Sequence, residues 1–232
     1  MEYKFSGESL LFLDENCLNN SRTWYQENKP RYQEHLVKPF GRLVTELAPT
    51  MLKIDDQMQT APGVGKTLSR IYRDTRFSKD KSLYRNSMWI TFKAFMKDVH
   101  NYPAFYFEIT PHSYSYGMGF FAPNASVMES YRRAILSDEE KFLRIVKKLE
   151  KTSDFEIAGE CYVRPKYKGT NEKIHEWFDR KDIYVRIESD HVIDVFDFEW
   201  LRDTLASDFE KLTDLYRFFR DSQLYFTDPN SK

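Results

Sequence analysis

The sequence predicts an α+β fold in which a central antiparallel or mixed sheet is covered on its apolar face by N-terminal helices and a closing helix. Apolar residues recur at helical spacing from Leu10 to Leu52 and again from Phe198 to Phe219. Between them, two-residue alternation runs from Met88 to Phe120. The 232 residues are 41% hydrophobic and 16% aromatic, enough for a sizeable core, and no stretch reads as a linker. The expectation is one domain over 1–226 and a disordered tail over 227–232.

A first helix follows Ser6, which can cap its first turn, and carries Leu10, Leu11, Leu13, Cys17 and Leu18. Ser21 to Lys53 reads as helical pieces, with Pro30 and Pro39 each placed at a first helical position, where a missing N–H costs nothing. Their buried face is supplied by Trp24, Tyr25, Tyr32, Leu36, Phe40, Leu43, Val44, Leu47 and Leu52. Ile54 to Lys66 is polar and glycine-bearing, a loop. Gly65, Lys66 and Thr67 resemble the end of a phosphate-binding loop. The first glycine of that motif would fall at Thr60, however, and the following LSRIYR has strand rather than helix character.

Met88, Ile90, Phe92 and Ala94 alternate with Trp89, Thr91 and Lys93, as a strand with one buried face requires. AFYFEIT and YSYGMGFF around Pro111–Ser113 read as a β-hairpin. Its more polar face carries Tyr106, Glu108, Thr110, Ser115, Gly117 and Gly119. Two glycines at period two imply close approach of another element or of a ligand. Asn124 or Ser126 opens a helix, and Ser137 with Glu140 forms a capping box for the next. Phe155–Val163 and Ile183–Ile187 read as strands. Between them, Gly169, Thr170 and Asn171 precede a short helix, and the cations before it are either an anion site at the helix N-terminus or part of a surface loop. Phe198 to Phe219 reads as one amphipathic closing helix.

Composition excludes several classes. A net charge of −1 argues against a protein that wraps nucleic acid non-specifically, which needs many uncompensated phosphate contacts. Cys17 and Cys161 are too few for a disulfide framework and fit a reducing cytosol. No run approaches the ~20 apolar residues that span a bilayer, so a cytoplasmic protein without membrane attachment is expected. The five histidines show no ligand spacing, so neither metal nor cofactor is expected. No serine or cysteine sits in a nucleophile setting.

The most distinctive stretch runs from Leu68 to Phe95, where Arg70, Arg73, Arg76, Lys79, Lys81 and Arg85 face only Asp74 and Asp80. Arginine forks interleaved with Tyr72, Phe77 and Tyr84 suit a site where water is partly excluded. Such a turn is an internal salt-bridge network, an anion-binding loop or, least attractively, a solvated connection. As an anion site it places Arg70, Arg73, Arg76, Lys79 and Lys81 on a phosphate- or carboxylate-bearing small molecule, with Tyr84 orienting it. Asp74 and Glu108 are the carboxylates available for acid–base work, although both can instead neutralise the arginines. The rival reading, from another class, is a non-catalytic interaction module held together by that network. Weak binding of RNA or single-stranded DNA is a third.

The motif R-I-x-R-D-x-R-F-S-K-D-K at Arg70–Lys81, with FLDENCLNNSRTWYQENKPRY, YGMGFFAP and RPKYKGTNEKIHEWFDRKDIY, resembles the bacterial conserved hypothetical proteins grouped as domain of unknown function 2461. The resemblance covers roughly Leu10 to Phe219. Leu83, where the family commonly has proline, and the region Lys166–Gly169 depart from it. It implies a single-domain cytoplasmic protein of mixed α and β structure and supplies no reaction.

Overall fold

The computed structural model describes residues 3–76, 79–94 and 101–223. The expected tail lies outside them, as do Phe77, Ser78 and His100. The α+β class holds. Helices α1 (Gly7–Asn19), α2 (Arg22–Tyr32) and α3 (Lys38–Ile54) precede strands β1 (Met88–Lys93), β2 (Ala104–Ile109) and β3 (Tyr114–Phe120). Then come α4 (Ala125–Ser137), α5 (Glu139–Thr152), β4 (Glu156–Ala158), α6 (Glu172–Phe178), β5 (Ile183–Ser189), α7 (Phe198–Lys211) and α8 (Thr213–Ser222). The sheet is antiparallel with strand order β1-β2-β3-β5-β4. The β4–β5 register pairs Ile157 with Val185.

The chain forms two compact units. The first comprises Met1–Phe92, Tyr106–Tyr116 and Glu188–Ser207, the second Lys93–Phe105, Gly117–Ile187 and Asp208–Lys232. In the first, Ser6 closes a capping box with Ser9, so α1 starts where the sequence places it. The apolar stripe of α3, Phe40, Leu43, Val44, Leu47 and Met51, is fully buried. Phe40 packs edge-on to Phe5 at 4.8 Å and lies 6.0 Å from Phe107 of β2. Each such side chain contributes about 1.5–3 kcal/mol by leaving water. Met88, Ile90, Phe92 and Ala94 are buried, as alternation requires.

In the second unit Phe105 lies 5.2 Å from both Phe209 and Tyr216, and Phe120 stacks on Phe219 at 5.1 Å. Gly117 and Gly119 approach another element. A Cβ on Gly117 would sit 1.9 Å from the Val185 carbonyl oxygen, and one on Gly119 would sit 2.3 Å from the Tyr184 side chain. The backbone of β5 fills the room that the sequence pattern leaves open.

Four local expectations change. Pro30 lies inside α2 instead of opening a helix. The Gln33 N–H bonds the Lys29 and Pro30 carbonyls, and a π-helical turn, Gln33–Val37, carries the chain into α3. Ser137 ends α4 and donates back to the Ala134 carbonyl, while Asp138 caps α5 by accepting the Lys141 N–H at 2.8 Å. Of Phe155–Val163 only Glu156–Ala158 is strand, followed by a single bridge between Cys161 and Arg180. The closing helix is two helices that break at Leu212, beside which the Thr213 hydroxyl donates to the Glu210 carbonyl at 2.7 Å. The apolar spacing hides that break because Leu212, Leu215 and Tyr216 are all buried on either side of it.

Candidate functional site

The basic stretch is an irregular hairpin within the first unit. Residues 67–73 run antiparallel to 83–91 through the Thr91 N–H to the Thr67 carbonyl at 2.8 Å, Ser69 to Trp89 at 2.8 Å, Arg85 to Ile71 at 3.0 Å and Arg73 to Leu83 at 2.9 Å. Leu68, Ile71, Tyr84 and Met88 are buried and set its position. Its strand character is therefore real, although it amounts to isolated bridges, Leu68 with Ile90 and Tyr72 with Tyr84. A second anchor comes from the end of α1. Asn20 takes the left-handed conformation at φ 46°, and its side-chain oxygen accepts the Leu83 N–H at 2.6 Å. The Gly63–Leu68 turn leads into a hairpin arm, and its Gly65, Lys66 and Leu68 amides bond within the turn. It is not a phosphate-binding loop.

The tip, Asp74 to Ser82, pairs much of its own charge. The Asp74 carboxylate accepts the Arg76 backbone N–H at 3.2 Å and the guanidinium at 2.6 and 3.0 Å. Those bonds hold the Asp74 carboxyl down at about 2. Asp80 accepts the Ser82 N–H at 2.9 Å and lies 2.9 Å from Arg73; the Ser82 bonds and then Arg73 lower its pKa. Lys81 donates to the Thr75 carbonyl at 2.8 Å. Arg70 and Lys79 are exposed, and the Arg70 guanidinium lies beside Gly65, where a Cβ would come within 3.0 Å of it. These pairs lie at the surface: Arg76 is 76% and Asp74 52% exposed. Such exposed pairs add little stability.

Arg85, on the second arm, differs. Its guanidinium lies over the Trp89 ring, 4.7 Å from the centroid, and its Nε donates to the Tyr72 carbonyl at 3.4 Å. No carboxylate lies within ion-pair distance of it among the described residues. Burial and then the like charge of Arg73 lower the Arg85 pKa, with Glu108 and Asp74 pulling the other way. A guanidinium does not give up its proton near neutral pH, so the shift registers a charge that its surroundings leave under-compensated.

Behind the hairpin, Tyr84 stacks on Tyr25 at 5.2 Å, and Tyr72 lies 5.0 Å from Tyr84 and 5.3 Å from Tyr25. Tyr84 is fully buried, and its hydroxyl makes no hydrogen bond among the described residues. Burial, with Tyr72 adding to it, pushes the Tyr84 phenol up to about 12. The ring of this cluster that faces solvent is Tyr72, 42% exposed. Glu108 is half-buried on β2.

A family model described as Conserved hypothetical protein (DUF2461) matches residues 8–218. The chain belongs to this family. No curated protein matches it. In this family member the hairpin lies wholly inside the matched range and joins Arg73, Arg85, Asp74 and Glu108 in one electrostatic neighbourhood, while Arg76, Lys79 and Lys81 spread over the exposed tip and Arg70 is exposed on the first arm beside Gly65. Sequence reasoning places Arg85 among the cations of the stretch without assigning it to the site. Its signal was the four-residue spacing to Trp89, which requires knowing that this arm leads directly into β1.

Elsewhere in the family member the chemistry is sparser. Asn171 caps α6 itself, accepting the Lys173 and Ile174 N–H groups at 3.0 and 3.3 Å, so that short helix offers no free anion site. A groove of about 690 Å³ between α4, α5 and α8 mixes Lys141, Arg144 and Arg217 with Asp221 and the 2.6 Å Lys148–Asp214 pair. Among the described residues no three histidine, cysteine or carboxylate side chains group as metal ligands, and no helix is long and apolar enough to cross a membrane.

Proposed function

We propose that the protein binds a small phosphate- or carboxylate-bearing ligand at Arg73 and Arg85, beside Glu108 and the exposed ring of Tyr72. The observation that carries this reading is the position of Arg85: partly desolvated, close to like-charged Arg73, and without an ion-pair carboxylate among the described residues. An anion bridging two arginines gains paired, charge-assisted hydrogen bonds and relieves their repulsion. Arg76, Lys79 and Lys81 from the tip, and Arg70 from the first arm, then raise the local anion concentration. Asp74, held ionised by Arg76, is no general acid near neutral pH, which leaves Glu108 as the carboxylate that could act on a bound ligand. Two free cysteines suit a reducing, cytoplasmic setting.

A second reading draws on the Arg73–Asp80 and Arg76–Asp74 pairs. They fit a non-catalytic interaction module whose hairpin is fixed by its own charges. Thermal melts separate the two. Millimolar phosphate, compared with chloride at equal ionic strength, should raise the melting temperature of the parent, since a ligand at ten times its Kd stabilises by about 1.4 kcal/mol. Arg85→Gln should lose the response without losing stability. A parent indifferent to phosphate and to small carboxylates would leave the module reading in place.

A further inference from the structure

In the second unit, the loop between the Cys161–Arg180 bridge and α6 is tied down through one side chain. The Nδ1 of His175 lies 2.8 Å from Asp179 Oδ2, and its Nε2 lies 3.2 Å from the Gly169 carbonyl oxygen. The other oxygen of Asp179 accepts the backbone N–H groups of Lys166 at 2.6 Å and Tyr167 at 3.0 Å. A carboxylate that accepts three donors is ionised, and a peptide carbonyl can only accept. Both ring nitrogens of His175 therefore face pure acceptors. A neutral imidazole has one N–H and satisfies one of them, setting a lone pair against the other. Only the imidazolium completes both bonds.

We propose that protonated His175 is a pH-sensitive clasp that holds the Lys166–Gly169 segment against α6 and frees its Gly169 end when it loses a proton.

The surroundings favour the charged form. Glu172 in the first turn of α6 and Asp179 at its C-cap both raise the His175 pKa, Asp179 foremost through its hydrogen bond. From the loop, the neutral ring of Tyr167 meets the imidazole edge-on at 4.9 Å. From α5, Glu139 takes the Tyr167 hydroxyl at 2.9 Å on each carboxylate oxygen, which fixes that ring beside His175. Tyr167 is buried and also packs against Phe178 at 5.4 Å. It stays docked by its own contacts, and the part that depends on the proton is the turn from Lys168 to Thr170. Gly169 is confined there, since a Cβ on it would lie 2.3 Å from the Tyr167 hydroxyl. When the proton leaves, the remaining N–H stays with the Asp179 carboxylate, the stronger acceptor, and the Gly169 bond is the one lost.

The test reads the ring nitrogens of His175 by NMR in the full chain, with the Gly169 carbonyl carbon shift followed over pH 5.5–8.5. The clasp predicts that both nitrogens carry protons at pH 6.5, where a free histidine is half neutral. It also predicts that the Gly169 carbonyl shift moves with the midpoint of the His175 titration, as the bond it accepts is lost. In His175→Gln that pH dependence should vanish. A neutral His175 tautomer at pH 6.5 in the parent would overturn the proposal, a result that does not depend on the variant folding. So would a Gly169 carbonyl shift that stays constant while His175 titrates, or that moves equally in the variant.

Discussion

Arg85 rests on the face of Trp89, its guanidinium 4.7 Å from the ring centroid, in the same arm that carries the chain from the basic tip into β1. The stack fixes the direction of a charge that Asp74 and Asp80 do not pair. Each of those carboxylates is engaged nearer the tip, by Arg76 and by Arg73 and Ser82. The hairpin thus separates Arg73 and Arg76, which pair with carboxylates of its own tip, from Arg85, which lies between the Trp89 ring and the Tyr72 carbonyl without a paired carboxylate among the described residues.

Arg76→Ala tests the first group. Because the Arg76–Asp74 pair is exposed and local, the variant should melt within about 2 °C of the parent at neutral pH, by the usual small effect of surface pairs. The depressed Asp74 pKa makes its contribution present above the ordinary carboxylate value of 3.8 and lost as pH falls through about 2. Parent and variant melts should therefore converge at the acid end. A large loss of stability at pH 7 would show a buried network that these exposures do not describe.

Gly117→Ala tests the close approach of β5. The added methyl would lie 1.9 Å from the Val185 carbonyl oxygen, a backbone atom that moves only if the strand moves. A loss on the order of 3 kcal/mol or more, or failure to fold, is expected in chemical denaturation. Gly7→Ala, where nothing lies within 4 Å of the new carbon, is the control and should be near neutral.

Much of this fold is legible where one periodicity governs a whole element. The α3 stripe and the alternation of β1 follow from side chains that are buried on one side, whereas β2 and β3 bury residues on both faces, Tyr106 and Gly119 among them. The sequence is silent where an element is interrupted without a change of spacing. The turn at Leu212 divides the closing helix while the apolar series continues across it, and Pro30 lies inside α2 with Tyr25 and Tyr32 buried on either side. The candidate site divides the same way. The cluster of cations is visible as composition, but that Arg73 pairs with Asp80 while Arg85 lies over Trp89 depends on the register that sets Arg73 opposite Leu83 and Arg85 opposite Ile71. Tyr84 illustrates the limit, since a tyrosine in a polar motif reads as exposed while its bridge with Tyr72 turns it into the core.

Binding of RNA or single-stranded DNA should be weak and salt-labile. The net charge is −1, and part of the tip's charge is already neutralised by Asp74 and Asp80. Few counterions would be released, so affinity should disappear between low and physiological salt in fluorescence anisotropy. Submicromolar binding that survives high salt would displace the small-ligand reading.

The tyrosine cluster behind the hairpin makes the last prediction, on the alkaline side. Burial, reinforced by Tyr72, pushes the Tyr25 and Tyr84 phenols up to about 12, and burial raises Tyr32 further. In the unfolded chain these groups titrate near 10. A group whose folded pKa is raised keeps its full contribution below the unfolded value and loses it as pH climbs through the folded one. Stability should therefore be flat on this account up to about pH 10 and decline steeply between 10 and 12, because the unfolded state releases protons that the folded state retains. Tyrosinate absorbance should lag in step with folding: these phenols should ionise in one cooperative transition that coincides with loss of the circular dichroism signal. Tyr84→Phe removes a buried hydroxyl that makes no hydrogen bond among the described residues, so it should hold or raise stability and weaken the alkaline decline. Smooth ionisation of all fifteen tyrosines near 10 in a chain that remains folded would contradict the buried cluster.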